Sequence, residues 1–162
     1  MEQSSKTLTF VVPAYNMETY LERCVESLLS ATDNSDIEVL IVDDGSSDGT
    51  PELADMYERR WPGNVRAIHQ VNKGHGGAVN TGIANATGMY VKVVDADDWV
   101  DMPSIDTLMG TLRVQRVATD PVDMIVTNYV YDKVGKRVKH TVNFRHAMAT
   151  NTVLGWDDLG CF

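Results

Sequence analysis

Cysteine is almost absent from this chain. Cys24 and Cys161 are its only two, too few for a disulfide framework, and Cys24 falls within an apolar helical pattern. A reducing, cytoplasmic setting is therefore expected, with membrane attachment through a further segment left open. Positive charge is also scarce. Fourteen Lys and Arg stand against 23 Asp and Glu, for a formal charge of −9 and a pI near 4.7. That balance argues against a nucleic-acid-binding or membrane-surface module. No apolar run approaches the length that spans a bilayer. Met1–Ser5 also lacks the apolar core of a signal peptide. Internal repeats, low-complexity tracts and linker-like segments are missing too. What remains is 162 residues with 43% hydrophobic content, enough for one domain with a real core and too little for two ordinary ones.

Strand and helix patterns alternate through the first two thirds. Leu8–Val12 reads as a buried strand ended by Pro13, which cannot continue a central ladder. Leu21, Cys24, Val25, Leu28 and Leu29 predict a helix over about 17–31. Ile37–Val42 is almost wholly apolar and β-branched, a strand covered on both faces. Thr50-Pro51-Glu52 has the form of a helix start, with Thr50 as cap and Leu53, Ala54 and Tyr57 facing inward. A weaker strand follows over 65–71, then a glycine-rich loop at 72–77. A helix with Val79, Ile83 and Ala86 on its inner face comes next, followed by the apolar run Tyr90–Val94. Met102-Pro103-Ser104 opens another helix, with Ile105, Leu108, Met109 and Leu112 as its stripe. Segments 124–131 and 137–142 predict a β-hairpin around Asp132–Lys136. Strand–helix alternation predicts an α/β fold whose central sheet is mostly parallel, with helices on both faces and a C-terminal β-hairpin. The last residues, from Asn151, begin a helix-like pattern at Trp156-Asp157-Asp158-Leu159 and stop, which suggests a chain cut in mid-domain.

The chemistry concentrates after the fourth strand, where Asp95, Asp97 and Asp98 fall within four positions. Buried carboxylates need a positive partner, and hard divalent cations such as Mg²⁺ or Mn²⁺ favour carboxylate oxygens. The plainer alternative is a solvated acidic loop that caps the next helix. In an open parallel sheet, ligands bind beyond the carboxyl ends of the strands. Four polar loops fall at that edge: Pro13-Ala14-Tyr15-Asn16, Asp43-Asp44-Gly45, Lys73-Gly74-His75-Gly76-Gly77 and Asp95-Ala96-Asp97-Asp98. Tyr15 offers a flat apolar face, Asp44 an acceptor for a base or ribose, the glycine loop backbone N–H groups, and the acidic cluster a cation site. Together they describe a nucleoside-diphosphate site. Each has a plainer use: Tyr15 could pack on the first helix, Asp43 could satisfy its own turn, and the glycines could serve the turn alone. His75 reads as an exposed loop residue without a catalytic role. A dinucleotide-binding Rossmann domain is excluded because its glycine fingerprint belongs after the first strand, where Pro13-Ala14-Tyr15-Asn16 stands. No Walker A pattern occurs.

Four stretches, in this order and spacing, resemble the family-2 glycosyltransferases of GT-A fold. They are Val11–Asn16, Val42–Thr50, Asn72-Lys73-Gly74 with Asn80-Thr81-Gly82, and Asp95–Asp98. The likeness covers roughly residues 7–110. It implies a Rossmann-like nucleotide-diphospho-sugar transferase fold whose donor-binding part is about 7–112. The implied activity is inverting transfer of a sugar from a nucleoside-diphosphate sugar, commonly a UDP-sugar, to a hydroxyl of a glycan or lipid-linked acceptor, as in cell-surface polysaccharide synthesis. By resemblance Pro13, Ala14 and Tyr15 frame the base, with Asn16 beside them. Asp44 accepts from the base and Asp43 shapes the loop. Lys73 and Gly74 lie toward the diphosphate, and Asp95-Ala96-Asp97 matches the family's Asp-x-Asp motif. Mn²⁺ or Mg²⁺ would be held by Asp97 with Asp95, and Asp98 could share the metal or a ribose contact. The general base belongs to a later segment of the family; Asp157 and Asp158 are the only nominees and neither has supporting residues. Two rival functions stay open. A sugar nucleotidyltransferase would want a glycine-rich, arginine-flanked loop after the first strand, which is absent here. A non-catalytic nucleotide-sugar-binding module would suit the missing base. Lys133, Lys136, Arg137, Lys139, His140, Arg145 and His146 make the later part basic, either as protective charges on an edge hairpin or as a contact for an anionic acceptor.

Overall fold

The computed structural model describes residues 6–132, 139–146 and 148–155. They fall into two compact units, divided after Ala118.

The first unit is built on a four-stranded parallel sheet in the order β3-β2-β1-β4, from β1 (Leu8–Ala14), β2 (Ile37–Asp43), β3 (Val65–His69) and β4 (Tyr90–Val93). Every residue of β1 and β2 is buried, so both faces of these strands are covered, as their predominantly apolar sequences predict. Helices α1 (Leu21–Leu28), α2 (Thr50–Arg60), α3 (Gly74–Asn85) and α4 (Met102–Arg116) make the crossovers and the outer layer. β4 is an edge, and Val91 and Val93 on it are exposed.

Pro13 does not end β1. The strand runs through it to Ala14, with Pro13 opposite Val42 and Ala14 opposite Asp43. The reason is one of direction. The Val11 carbonyl faces β4, where it accepts from Val94, so position 13, two residues on, faces the same way. The β1–β4 ladder has already stopped at Val11 and Val93, and the missing proline N–H costs no bond there.

Helix α1 is shorter than predicted, because residues 17–20 form a turn instead of its first winding. Its stripe Leu21, Cys24, Val25 and Leu28 is buried as expected. Thr50 is the first residue of α2 and not its cap. The capping acceptor is Asp48, whose Oδ1 takes the Thr50 N–H at 3.0 Å. Ala54 and Tyr57 are buried, while Leu53 is only half-buried. α4, by contrast, is capped by the residue at its N-cap position: Asp101 Oδ2 accepts from Ser104 N–H at 3.1 Å. Ile105, Met109 and Leu112 are buried as predicted.

The largest departure is at α3. The glycine-rich stretch is not a loop leading to a helix; the helix begins at Gly74 itself. Its inner face carries Ala78 and Gly82, and Ile83 lies half exposed. The cause is close approach. A methyl group on Gly82 would sit 2.1 Å from Val11 Cγ1, so α3 lies on β1 with no room for a larger residue. Ala78, Val11 and Val42 form the packed cluster beneath it, with Ile68 at its margin.

The second unit contains the antiparallel pair β5 (Tyr129–Tyr131) and β6 (His140–Val142), followed by one 3-10 turn at Phe144–His146. The hairpin is there, with strands shorter than predicted: residues 124–128 are not strand. Tyr129 and Tyr131 pack edge to face at 5.4 Å, and Lys139 pairs with Asp132 at 2.7 Å. Lys133, Lys136, Arg137, Asp157, Asp158 and Cys161 lie outside the described residues.

Candidate functional site

The four polar loops do converge. A cleft of about 470 Å³ opens at the carboxyl edge of the sheet, lined by Pro13, Ala14, Tyr15, Met17, Asp44, Asn72, Gly74, His75, Ala78, Asp95, Ala96 and Asp97. Eight of these carry roles predicted from sequence. Tyr15 is half exposed, with its ring at the cleft and not packed away in the core. Asn16, Asp43, Lys73 and Asp98 do not line it.

Asn16 is a bracket. It sits at φ 55°, a left-handed conformation that Asn tolerates better than most residues. Its N–H donates to Ser46 Oγ at 3.0 Å, and its Oδ1 accepts from Ser47 N–H at 2.9 Å. The loops after β1 and β2 are thereby tied into one wall. Asp43 works inside that wall. It is buried, with Oδ1 accepting from Ser46 N–H at 3.0 Å and Oδ2 lying 3.0 Å from His69 Nδ1. His69 Nε2 in turn lies 3.1 Å from Asp55 Oδ1 on α2.

The His69 imidazolium is held above its ordinary pKa, first by the bond to Asp43, with burial opposing and Asp55 assisting. A raised pKa stabilises the fold below the unfolded-state value of about 6.5, and this contribution is lost as pH climbs through the folded-state value. Urea titrations from pH 6 to 9 should therefore show a decline in stability through this window. In His69→Gln that decline should flatten, and an unchanged pH profile would rule out His69 as its source.

Asp44 is also buried, yet it lines the cleft. Its Oδ1 accepts from Gln70 Nε2 at 2.6 Å and from Lys73 N–H at 2.8 Å. Burial pushes its pKa up. The Gln70 amide, the N–H groups of Lys73 and Gly74 and the Lys73 charge outweigh that and hold it below the usual carboxylate range. Lys73 thus contributes here through its backbone N–H as well as through its charge.

The acidic loop is exposed at Asp95, Asp97 and Asp98. The expectation of a buried cluster is corrected accordingly: all three side chains reach solvent. The Asp98 carboxyl is raised first by its partial burial and then by the charges of Asp97 and Asp95. Among the described residues no three His, Cys, Asp or Glu side chains are gathered into a ready cation cage. Of the three carboxylates of the acidic loop, Asp95 and Asp97 line the cleft and Asp98 does not. A pair of carboxylates completed by phosphate oxygens is the usual donor set for Mg²⁺-type sites, so these residues fit such an ion when a diphosphate accompanies it.

Several supports for this loop are not visible in the sequence. His75 is exposed, as predicted, but its Nε2 lies 2.8 Å from Asp95 Oδ1, so it is tied to the acidic loop. From α1, the Cys24 thiol donates to the Asp95 carbonyl at 3.7 Å. Burial, then Asp98, Asp97 and Asp95, push that thiol up to about 12, which keeps it protonated and unreactive. Ser27 Oγ accepts from Val100 N–H at 3.1 Å, and the Arg23 guanidinium lies 3.3 Å from the centre of the Trp99 ring. The general base is not identified among the described residues.

With this geometry in place, comparison with known proteins is informative. The profile of Glycosyl transferase family 2 matches residues 9–157. The glycosyltransferase GlyG of Streptococcus pneumoniae is 40% identical over 131 residues, 80% of this chain and 41% of that protein. Among solved structures, S. aureus TarS 1-349 in complex with UDP-GlcNAc superposes with a TM-score of 0.61 at 26% identity, over 67% of this chain and 32% of that one. The mannosyltransferase PcManGT from Pyrobaculum calidifontis, in complex with GDP-Man and Mn²⁺, gives 0.58 at 28% identity, over 70% and 32%. The chain spans 26% to 41% of the length of the first curated relatives it matches. No helix among the described residues is long and apolar enough to cross a membrane.

Proposed function

Because the chain belongs to glycosyl transferase family 2, we propose that residues 7–112 are the donor-binding part of an enzyme that moves a sugar from a nucleoside diphosphate to an acceptor hydroxyl, in glycan or polysaccharide synthesis. The observation that carries this reading is the convergence of Tyr15, Asp44, Gly74, Asp95 and Asp97 on one cleft from four separate strand ends. A UDP-sugar is the favoured donor, as in the TarS complex; the GDP-Man complex makes guanosine the alternative.

In this reading Tyr15 stacks on the base, framed by Pro13 and Ala14, and Asp44 accepts a hydrogen bond from it. The diphosphate lies toward the start of α3. The N–H groups of a helix's first turn lack partners within the helix and favour anions. Asp97 and Asp95 hold Mn²⁺ or Mg²⁺, with Asp98 beside them. When bound, that ion neutralises charge on the departing diphosphate. The acceptor oxygen attacks the anomeric carbon as the bond to diphosphate breaks, with inversion, and its proton goes to a base outside the described residues. The acceptor is a glycan or lipid-linked hydroxyl.

Thermal melting with UDP, with and without Mn²⁺, tests the site. Occupancy at a hundredfold over Kd adds ~2.7 kcal/mol, which is roughly 5–10 °C for a domain of this size. A Mn²⁺-dependent UDP shift is the expected result. A shift with GDP alone would move the donor to guanosine, and no shift with either nucleotide would overturn the reading.

A further inference from the structure

Asp44 is held by a hydrogen-bond chain that starts on the far side of the cleft wall. The Thr81 hydroxyl, on α3, donates to Gln70 Oε1 at 2.6 Å. Gln70 Nε2 donates to Asp44 Oδ1 at 2.6 Å, and the Gln70 backbone N–H is fixed on the Asp43 carbonyl at 3.0 Å. The chain can run only one way. A carboxylate accepts and never donates, so Gln70 must turn its NH₂ toward Asp44 and its oxygen toward Thr81, which must donate. One other donor, the Lys73 N–H, also addresses Asp44 Oδ1, at 2.8 Å, while the neighbouring Gly74 N–H goes to Asn72 Oδ1 at 3.0 Å. A carboxylate has about four lone-pair sites, so capacity for a further donor remains in a residue that lines the cleft.

We propose that Gln70 and Thr81 are positioning residues that set the base preference of the pocket, by holding the Asp44 carboxylate, which can only accept, in one orientation at the cleft. A base presenting a ring N–H, such as uracil, then gains a bond. Cytosine presents a lone pair at the same ring position and meets a carboxylate with nothing to give. The proposal rests on the base lying against Asp44, as above.

The test is calorimetric affinity for UDP and for CDP, each with Mn²⁺, on the wild-type chain and on Asp44→Asn, Gln70→Leu, Thr81→Val and Thr81→Ser. The ratio of the two affinities is the readout, because a merely structural loss weakens both nucleotides alike. Wild type should prefer UDP by about tenfold or more, since an unpaired buried acceptor discriminates strongly. Gln70→Leu should bring the ratio to within about threefold. Thr81→Val should narrow it less, and Thr81→Ser, which keeps the hydroxyl, should restore it. Should Gln70→Leu fail to fold, the two Thr81 variants decide the matter. An unchanged ratio in Gln70→Leu and Thr81→Val, with Asp44→Asn altered, would overturn the role of the chain while leaving Asp44 at the base. An unchanged ratio in Asp44→Asn would instead remove the base from Asp44, and a wild-type chain that bound neither nucleotide would remove both readings.

Discussion

Gly82→Ala is expected to lower the unfolding free energy by about 2–3 kcal/mol, a fall in Tm of roughly 5–10 °C. The sign is the opposite of the usual one. At an exposed helix position the same change stabilises by about 1 kcal/mol, because glycine is the poorer helix former. Here the new methyl would stand 2.1 Å from Val11 Cγ1 and 3.0 Å from its Cγ2, on a fully buried side chain of the central strand. Something must move: either α3 lifts from β1 or Val11 leaves its rotamer. Val11→Ala removes the obstructing methyls, so the double variant should be more stable than the two single losses added together, by at least about 1 kcal/mol. Urea unfolding of the four proteins measures this. Strict additivity would show that the helix accommodates the methyl by some route other than Val11.

Asp97→Asn should abolish the Mn²⁺-dependent part of UDP binding while leaving the fold intact. Asp97 is exposed and lines the cleft, so its substitution removes no packing. The residues behind a metal ligand commonly cost 10–100-fold in affinity when changed; a direct ligand should cost at least about a hundredfold. UDP affinity with Mn²⁺ should then fall to the value measured without it. The matching control is Asp98→Asn, which lies outside the cleft and should retain most of the metal effect. If Asp98→Asn proved the more damaging, the ligand would be the neighbour and the Asp-x-Asp assignment would shift by one residue. Calorimetry with and without Mn²⁺ separates the cases.

Much of this was legible in the sequence, and the remainder failed for identifiable reasons. β2 could be read as a buried strand because nothing in Ile37–Val42 is polar except Glu38. That residue is itself buried, with Thr9, Thr87 and Arg66 all donating to its carboxylate. The four loops were legible because polar residues cluster at strand ends. The inner face of α3 was not, since apolar periodicity points to Ile83 while the geometry needs the smallest residue against Val11. Nor was the continuation of β1 through Pro13, which depends on where a strand 80 residues away stops pairing. Gln70 and His69 carry no sequence signal; they gain their partners only once the parallel register sets Asp43 beside His69. His75 reads as an exposed loop residue and is one by accessibility. Its tie to Asp95 is a contact across 20 residues that no local pattern announces.

The placement of β1 at the centre of the sheet has a temporal consequence. Its partner on one side, β2, follows within 30 residues, whereas Leu8 meets Tyr90 only after most of the first unit exists. During synthesis from the ribosome, one flank of a strand that is apolar except for Thr9 stays unpaired until residue 93 has emerged. Such an edge invites association with other chains. Pairing across that separation is also the slow kind, because loop closure precedes its reward. The acidic loop follows β4 directly, so the wall carrying Asp95 and Asp97 is the last part of the cleft to arrive. A nascent chain would acquire its capacity for nucleotide in the same step that seals its most adhesive edge.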